Sequence, residues 1–162
     1  MIGIIGQGFV GNAVYQKFKN YYDVKTYDID ETKCNSTFED TVKSSKFIFV
    51  CLPTPMYKHN GSCNTSIVEE VANEIDVIAE DSNEKKYIII KSTVPPGTIK
   101  RLNTDLEYTH TIFNPEFLTE VNAVSDFENQ KRIILGGSKE HTSAVKPIFV
   151  KVFPMTHIIR CD

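Results

Sequence analysis

A doubly wound α/β fold, with a mainly parallel sheet and helices on both faces, is predicted by three observations. Short β-rich runs such as Ile2–Ile5 and Phe47–Leu52 alternate with stretches of helical periodicity. The runs are apolar throughout rather than on alternate residues, as strands buried on both faces of a parallel sheet require. The first run passes through Gly6, Gly8 and Gly11 straight into a helical pattern. Short strand–helix connections of this kind build βαβ units, and right-handed crossovers then distribute the helices over both faces.

Each element has its own justification. Ile2–Ile5 is the first strand. Val10–Lys19 is a helix, with Val10, Val14 and Phe18 four residues apart. Val24–Tyr27 is a second strand and Phe38–Val42 a short helix. Phe47–Leu52 is the third strand, stopped by Pro53 and Pro55. Tyr57–Asn64 is a polar loop containing Gly61. Asn64 or Thr65 caps the next helix, which runs to Ala79 with Ile67, Val71, Ile75 and Ile78 on its apolar face. Tyr87–Ile90 is the fourth strand. Pro95-Pro96-Gly97 turns the chain into a helix over Thr98–Leu106. His110–Phe113 and Ile133–Leu135 are the next strands, Lys139–Val150 is a helix, and Thr156–Ile159 is the last strand. No linker, internal repeat or low-complexity segment interrupts the series, so residues 1–162 read as a single domain.

Composition narrows the function classes. Of 162 residues, 41% are hydrophobic and 24% charged, the balance of a globular domain with a core of its own. A formal net charge of −3 gives no electrostatic footprint for nucleic acid. The basic pairs Lys85-Lys86 and Lys131-Arg132 precede apolar runs and read as solvated strand ends. No apolar run approaches the roughly 20 residues that span a bilayer, and the N-terminal residues lack the charged region of a secretory leader. Cys34, Cys51, Cys63 and Cys161 have no zinc-ligand spacing, so no metal is expected. Cys51 reads as a buried small hydrophobe. These features predict a reduced, cytoplasmic protein that engages neither membrane nor nucleic acid.

The opening turn, Gly6-Gln7-Gly8-Phe9-Val10-Gly11, follows a strand and opens a helix. In that context the three glycines have separate uses. Gly6 permits the tight turn, Gly8 lets backbone approach a pyrophosphate, and Gly11 lets helix and strand pack closely. The helix N-terminus offers unpaired N–H groups and partial positive charge to the phosphates. Asp28 ends the second strand about 20 residues on, where a carboxylate accepts from a ribose 2′-hydroxyl and repels a 2′-phosphate. The motif is therefore of Rossmann type, and the predicted cofactor is NAD rather than NADP. Lys33 either reaches the same ribose or a phosphate, or stands in solvent.

Three later stretches, Phe49–Pro55, Lys91–Thr98 and Asn114–Glu120, each follow a strand. In an open parallel sheet the ligand lies beyond the carboxyl ends of the strands, so topology brings all three loops to the cofactor edge. Thr54 and Thr93 offer uncharged hydroxyls, which either face the ligand or cap turns. Glu116 and Glu120 are four apart and share one face if their segment is helical. Near a nicotinamide such a pair positions water or takes a proton; otherwise it is a solvated helix face.

Taken together, GQGFVG, CLPTP, KSTVPPGT and NPEFLTE, in that order, resemble the N-terminal domain of the UDP-glucose/GDP-mannose dehydrogenases. KRIILGG (Lys131–Gly137) resembles the strand that follows the NPEFL loop in that family. The resemblance covers nearly the whole chain. It implies oxidation of a nucleotide sugar's primary alcohol to a carboxylate with two NAD+, UDP-glucose being the foremost substrate. It further implies a cofactor site of Gly6, Gln7, Gly8, Phe9, Val10, Gly11, Asp28, Lys33, Leu52, Pro53, Thr54, Thr93 and Glu120. Substrate contacts would come from Glu116, Phe117, Leu118 and Glu120. Thr93, Glu116 and Glu120 would be the catalytic groups, Glu116 or Thr93 helping to place the water used in hydrolysis and Glu120 also approaching the cofactor.

The family's central helical and C-terminal domains, with the catalytic cysteine and an assisting Lys and Asn, lie outside the pattern matched here. Cys161 has no glycine-rich setting and is not that nucleophile. The thiohemiacetal route to a carboxylate is then closed to these residues alone. Three readings follow: the cofactor half of a nucleotide-sugar dehydrogenase, completed by a C-terminal half or by a second chain; a stand-alone NAD-binding sensor or regulatory module; or a different NAD oxidoreductase. The resemblance places the first ahead of the others.

Overall fold

The computed structural model describes residues 1–82 and 84–162. Seven strands, β1 (Ile2–Ile5), β2 (Val24–Tyr27), β3 (Phe47–Val50), β4 (Lys86–Ile90), β5 (Thr109–Phe113), β6 (Arg132–Gly136) and β7 (His157–Cys161), form one sheet. Their order is β2-β1-β3-β4-β5-β6-β7. Neighbours run parallel except β5 and β6, which meet antiparallel through the pair Phe113 and Gly136. Strand β1 is central to the site: Ile5 lies beside Tyr27 on one side and Val50 on the other.

Among the described residues six helices cover the sheet: α1 (Phe9–Phe18), α2 (Phe38–Ser44), α3 (Ser66–Ala79), α4 (Thr98–Asp105), α5 (Ala123–Glu128) and α6 (Lys139–Val152). Two cores result. On one face, α1, α5 and α6 bury Val14, Phe18, Phe127, Val145 and Phe149 against Ile2, Ile4, Phe49 and Ile89. Phe18 is its hub, with Phe49 at 5.0 Å and Phe149 at 5.9 Å in edge-on contacts. On the other face, α2, α3 and α4 bury Val42, Val68, Ile75 and Leu102 against Ile5, Ile48, Val50, Ile88 and Ile90. Successive residues of β1 and β3 thus feed opposite cores, which is why these strands are apolar at every position. The carboxylate of Asp76 on α3 accepts from the backbone N–H groups of Glu107 and Tyr108 (3.0 Å each) and from the Thr109 hydroxyl (2.7 Å), tying α3 to the start of β5.

Several expectations shift. The third strand ends at Val50, not Leu52. Cys51 N–H still bonds the Ile5 carbonyl, but Leu52 N–H turns to the Ser92 hydroxyl at 2.9 Å. Helix α3 is rotated from its predicted face, burying Val68, Ala72, Ile75 and Ala79 and exposing Ile67. Asn64 caps it, accepting from Ser66 N–H, while the Thr65 side chain turns to Glu69. Lys86 is not a solvated strand end. It is buried within β4, and its ammonium donates to the carbonyls of Lys43 (3.0 Å) and Ser45 (2.9 Å), which close α2. A 3-10 turn over Glu31–Lys33 and helix α5 are additions to the predicted series.

At the opposite end of the sheet from the glycine turn, His110 of β5 and His141 of α6 stack with ring centroids 4.0 Å apart. Desolvation lowers the pKa of both rings. His141 and Lys85 lower that of His110 further, Lys85 also lowers that of His141, and Glu140 opposes the shift at both. The unfolded chain therefore binds more protons than the folded one just below the ordinary histidine value of about 6.5. Stability is full above that pH and falls as pH drops below it. Thermal melts from pH 7.5 to 5 are expected to show this decline, and His141→Gln should flatten it.

Candidate cofactor site

The order of the sheet creates the site. The chain leaves β1 for β2 on one side, and β3 returns on the other, so a crevice opens between the carboxyl ends of β1 and β3. Gly6 sits there with φ +90°. A β-carbon on Gly6 would overlap the carbonyl oxygen of Cys51, and one on Gly11 would overlap that of Gly6. Both glycines are thus demanded by the protein's own backbone. Gly8 is different. Its φ is −66°, open to any residue, and a β-carbon there meets no atom within 4 Å. The protein's own packing does not require a glycine at that position, and its absence of a side chain leaves the backbone open to close approach by a ligand.

The same place carries a second feature suited to an anion. Helix α1 starts at Phe9 with no side chain capping it, so its first N–H groups point into the opening. The Asp28 carboxylate fixes the loop from below, accepting from Gln7 N–H at 2.5 Å and from Asp30 N–H at 2.9 Å. Oxygen lone pairs remain for a sugar hydroxyl. A cleft of about 580 Å³ adjoins, lined by Gln7, Gly8, Phe9, Tyr15, Thr26 and Lys33 among others. Lys33 pairs with Asp30 at 3.1 Å and keeps half its side chain in solvent. Val10, in the first turn of α1, is not among the residues that line the cleft. These features fit a dinucleotide: a pyrophosphate over Gly8 and the α1 terminus, an adenosine ribose beside Asp28.

The predicted loops converge at the edge as topology requires. Leu52, Pro53 and Thr54 follow β3, and Thr93 follows β4. The Cys63 thiol lies between the Thr54 and Thr93 carbonyls, at 3.9 and 3.6 Å, and links the two loops. The loop after β5 departs from expectation. Residues 114–119 are irregular, so Glu116 and Glu120 share no helical face. The Asn114 side chain prevents one: its amide donates to the Ile134 carbonyl at 2.8 Å, and its oxygen accepts from Lys91 at 3.0 Å, drawing the chain along the sheet edge. Glu116 turns inward, with Oε2 buried and without a partner among the described residues. Glu120 instead lines a second cleft, of about 420 Å³, with Phe9 and Asn12 at the start of α1. Leu118 packs on the core, while Phe117 stands 61% exposed with Arg132 over its ring.

Three participants lie outside the predicted site set. Lys91, at the foot of β4, is buried, and desolvation lowers its pKa to about 8 against the opposing pull of Cys51 and Glu116. Its ammonium holds both oxygens of Asn114, at 3.1 and 3.0 Å. Burial pushes the Cys51 thiol up to about 12. Ser92 joins the ends of β3 and β4. Lys91 and Ser92 belong to the KSTVPPGT stretch, but a lysine or serine in sequence carries no sign of burial. No group of three or more His, Cys, Asp or Glu is placed to hold a metal among the described residues, and no described helix is long and apolar enough to cross a membrane.

Comparison with known proteins agrees with this geometry. Residues 31–153 match the family model for the UDP-glucose/GDP-mannose dehydrogenase family, NAD binding domain. An uncharacterised protein of Methanocaldococcus jannaschii is 34% identical across 91% of this chain and 19% of its own length. UDP-glucose 6-dehydrogenase of Rickettsia bellii is 31% identical across 85% of this chain and 32% of its own. Among solved structures, GDP-mannose dehydrogenase of Pseudomonas aeruginosa superposes with a TM-score of 0.83 over 99% of this chain and 46% of that one, at 23% identity, which shows the shared fold. The chain thus spans less than half the length of each of these three proteins. With the glycine turn, the open position at Gly8 and the family match in agreement, the chain belongs to the UDP-glucose/GDP-mannose dehydrogenase family, as its NAD-binding domain.

Proposed function

We propose that these residues are the cofactor half of a nucleotide-sugar dehydrogenase, with UDP-glucose as substrate: UDP-glucose, two NAD+ and water give UDP-glucuronate, two NADH and protons. The observation that carries the reading is the meeting at one sheet edge of the glycine turn with the loop that bears Glu116 and Glu120. Bound NAD+ supplies the hydride acceptor. The backbone of Gly6–Gly11 holds the pyrophosphate, Asp28 and Lys33 the adenosine ribose, and Leu52, Pro53 and Thr54 the wall toward the nicotinamide. Thr93, Glu116 and Glu120 orient the substrate and the hydrolytic water, with Phe117 and Leu118 beside them.

The second oxidation needs a thiol nucleophile. Cys51 is held as the thiol by burial, Cys34 and Cys63 direct their thiols at the carbonyls of Asp28 and of Thr54 and Thr93, and Cys161 lies at the end of β7, beyond β6 from the site. We therefore assign the nucleophile to residues beyond these 162, in the same polypeptide or in a second chain, and expect NAD binding without turnover from the domain alone. The test is absorbance at 340 nm with NAD+ and UDP-glucose, GDP-mannose or a UDP-N-acetyl sugar. No NADH is expected from the domain, and NADH is expected once the C-terminal part of a family enzyme is added. Turnover by the domain alone would overturn the division of labour. Tight NAD+ binding that no complement converts to turnover would favour a sensor module instead.

A further inference from the structure

Beneath the proposed nicotinamide end of the crevice lies a buried ammonium, that of Lys91, with the inward-turned carboxyl of half-buried Glu116 near it. Lys91 is 3% exposed. Two of its three N–H donors are spent on Asn114, and the third has no acceptor among the described residues. The neighbours that face it are few: the Cys51 thiol at the end of β3, the Glu116 carboxyl from the loop after β5, and the Phe127 ring of α5, 5.4 Å from the ammonium. Glu116 Oε2 is buried and equally short of a partner. An isolated ammonium in such a setting is costly, and an opposite charge nearby offsets part of that cost. The pair is not a closed salt bridge, since no nitrogen–oxygen contact between Lys91 and Glu116 falls within 4 Å. Each charge still acts on what lies above it.

We infer that Lys91, balanced by Glu116, is a positioning residue that sets the preference of the site between oxidised and reduced NAD. This rests on the cofactor placement proposed above. NAD+ and NADH differ by one positive charge on the nicotinamide ring. A buried ammonium at the carboxyl ends of β3 and β4 disfavours the charged ring and leaves the neutral one untouched, while the Glu116 carboxylate does the reverse. In a half-desolvated site, one such charge changes relative affinity roughly fivefold to tenfold. The preference is also pH-dependent, because burial brings the loss of the Lys91 proton to about 8. Below that pH the ammonium favours NADH; above it the amine no longer does, and NAD+ gains.

The experiment measures the ratio of Kd for NAD+ to Kd for NADH on the whole 162-residue chain from pH 6.5 to 9, by calorimetry and by NADH fluorescence. In the wild type the ratio should fall roughly fivefold to tenfold as pH rises through about 8. Lys91→Met should give the low ratio at every pH. Lys91→Arg should keep the high ratio with no pH dependence, and Glu116→Gln should move the ratio toward NADH. A purely structural lysine would weaken both forms together and leave the ratio unmoved in Lys91→Met; that result overturns the inference. If Lys91→Met does not fold, the wild-type series decides alone, and a flat ratio overturns it. Binding of neither form to the wild type overturns the cofactor placement as well, which separates the two failures.

Discussion

Replacing Gly11 by alanine is expected to destabilise the domain by about 3 kcal/mol or more. The added methyl would overlap the carbonyl oxygen of Gly6, a backbone atom that cannot rotate away. Relief requires α1 to shift off β1. That helix carries Phe18, the hub of the aromatic cluster, so a shift at its first turn loosens the core at its last. For a domain of this size the melting temperature should fall by about 10 °C, read by circular dichroism. A melt within 2 °C of wild type would mean that the helix and strand do not pack as described.

The opposite pattern is expected three residues away, at Gly8. Gly8→Ala should leave the melting temperature of the free protein unchanged, because its backbone is extended and its surroundings are open. NAD+ affinity should fall at least roughly tenfold, since the methyl occupies the space a pyrophosphate needs. The two alanines therefore separate the uses of neighbouring glycines: Gly11 serves the protein and Gly8 the ligand. If Gly8→Ala bound NAD+ as wild type does, the pyrophosphate would have to lie elsewhere.

How legible the molecule was in its sequence differs from element to element. Strands β1 and β3 stood out because both are apolar throughout, a consequence of two cores sharing one sheet. The glycine turn stood out because each glycine sits where a side chain is excluded or unwanted. Helix α5 left little trace: it has six residues and buries only Ala123 and Phe127, too short a stripe to show a period. The single antiparallel junction of β5 and β6 rests on one residue pair, for which no sequence pattern exists. The irregular course of Asn114–Thr119 was hidden for another reason. It is dictated by Asn114, whose partners Lys91 and Ile134 are 23 and 20 residues away in sequence. The same holds for Lys86 and Lys91, whose burial depends on carbonyl acceptors supplied by other segments. The candidate site was thus readable as a set of loops, while the inward turn of Glu116 and the role of Lys91 required the fold.

The measurement that bears most directly on this account is a side-by-side titration of the domain with NAD+ and NADP+. Asp28 already accepts from the glycine loop, and its remaining lone pairs suit a 2′-hydroxyl while its charge repels a 2′-phosphate. Saturable binding of NAD+ and at least roughly tenfold weaker binding of NADP+ are expected, with the difference lost in Asp28→Asn. Equal affinity for the two dinucleotides, or no binding of either, would contradict this account.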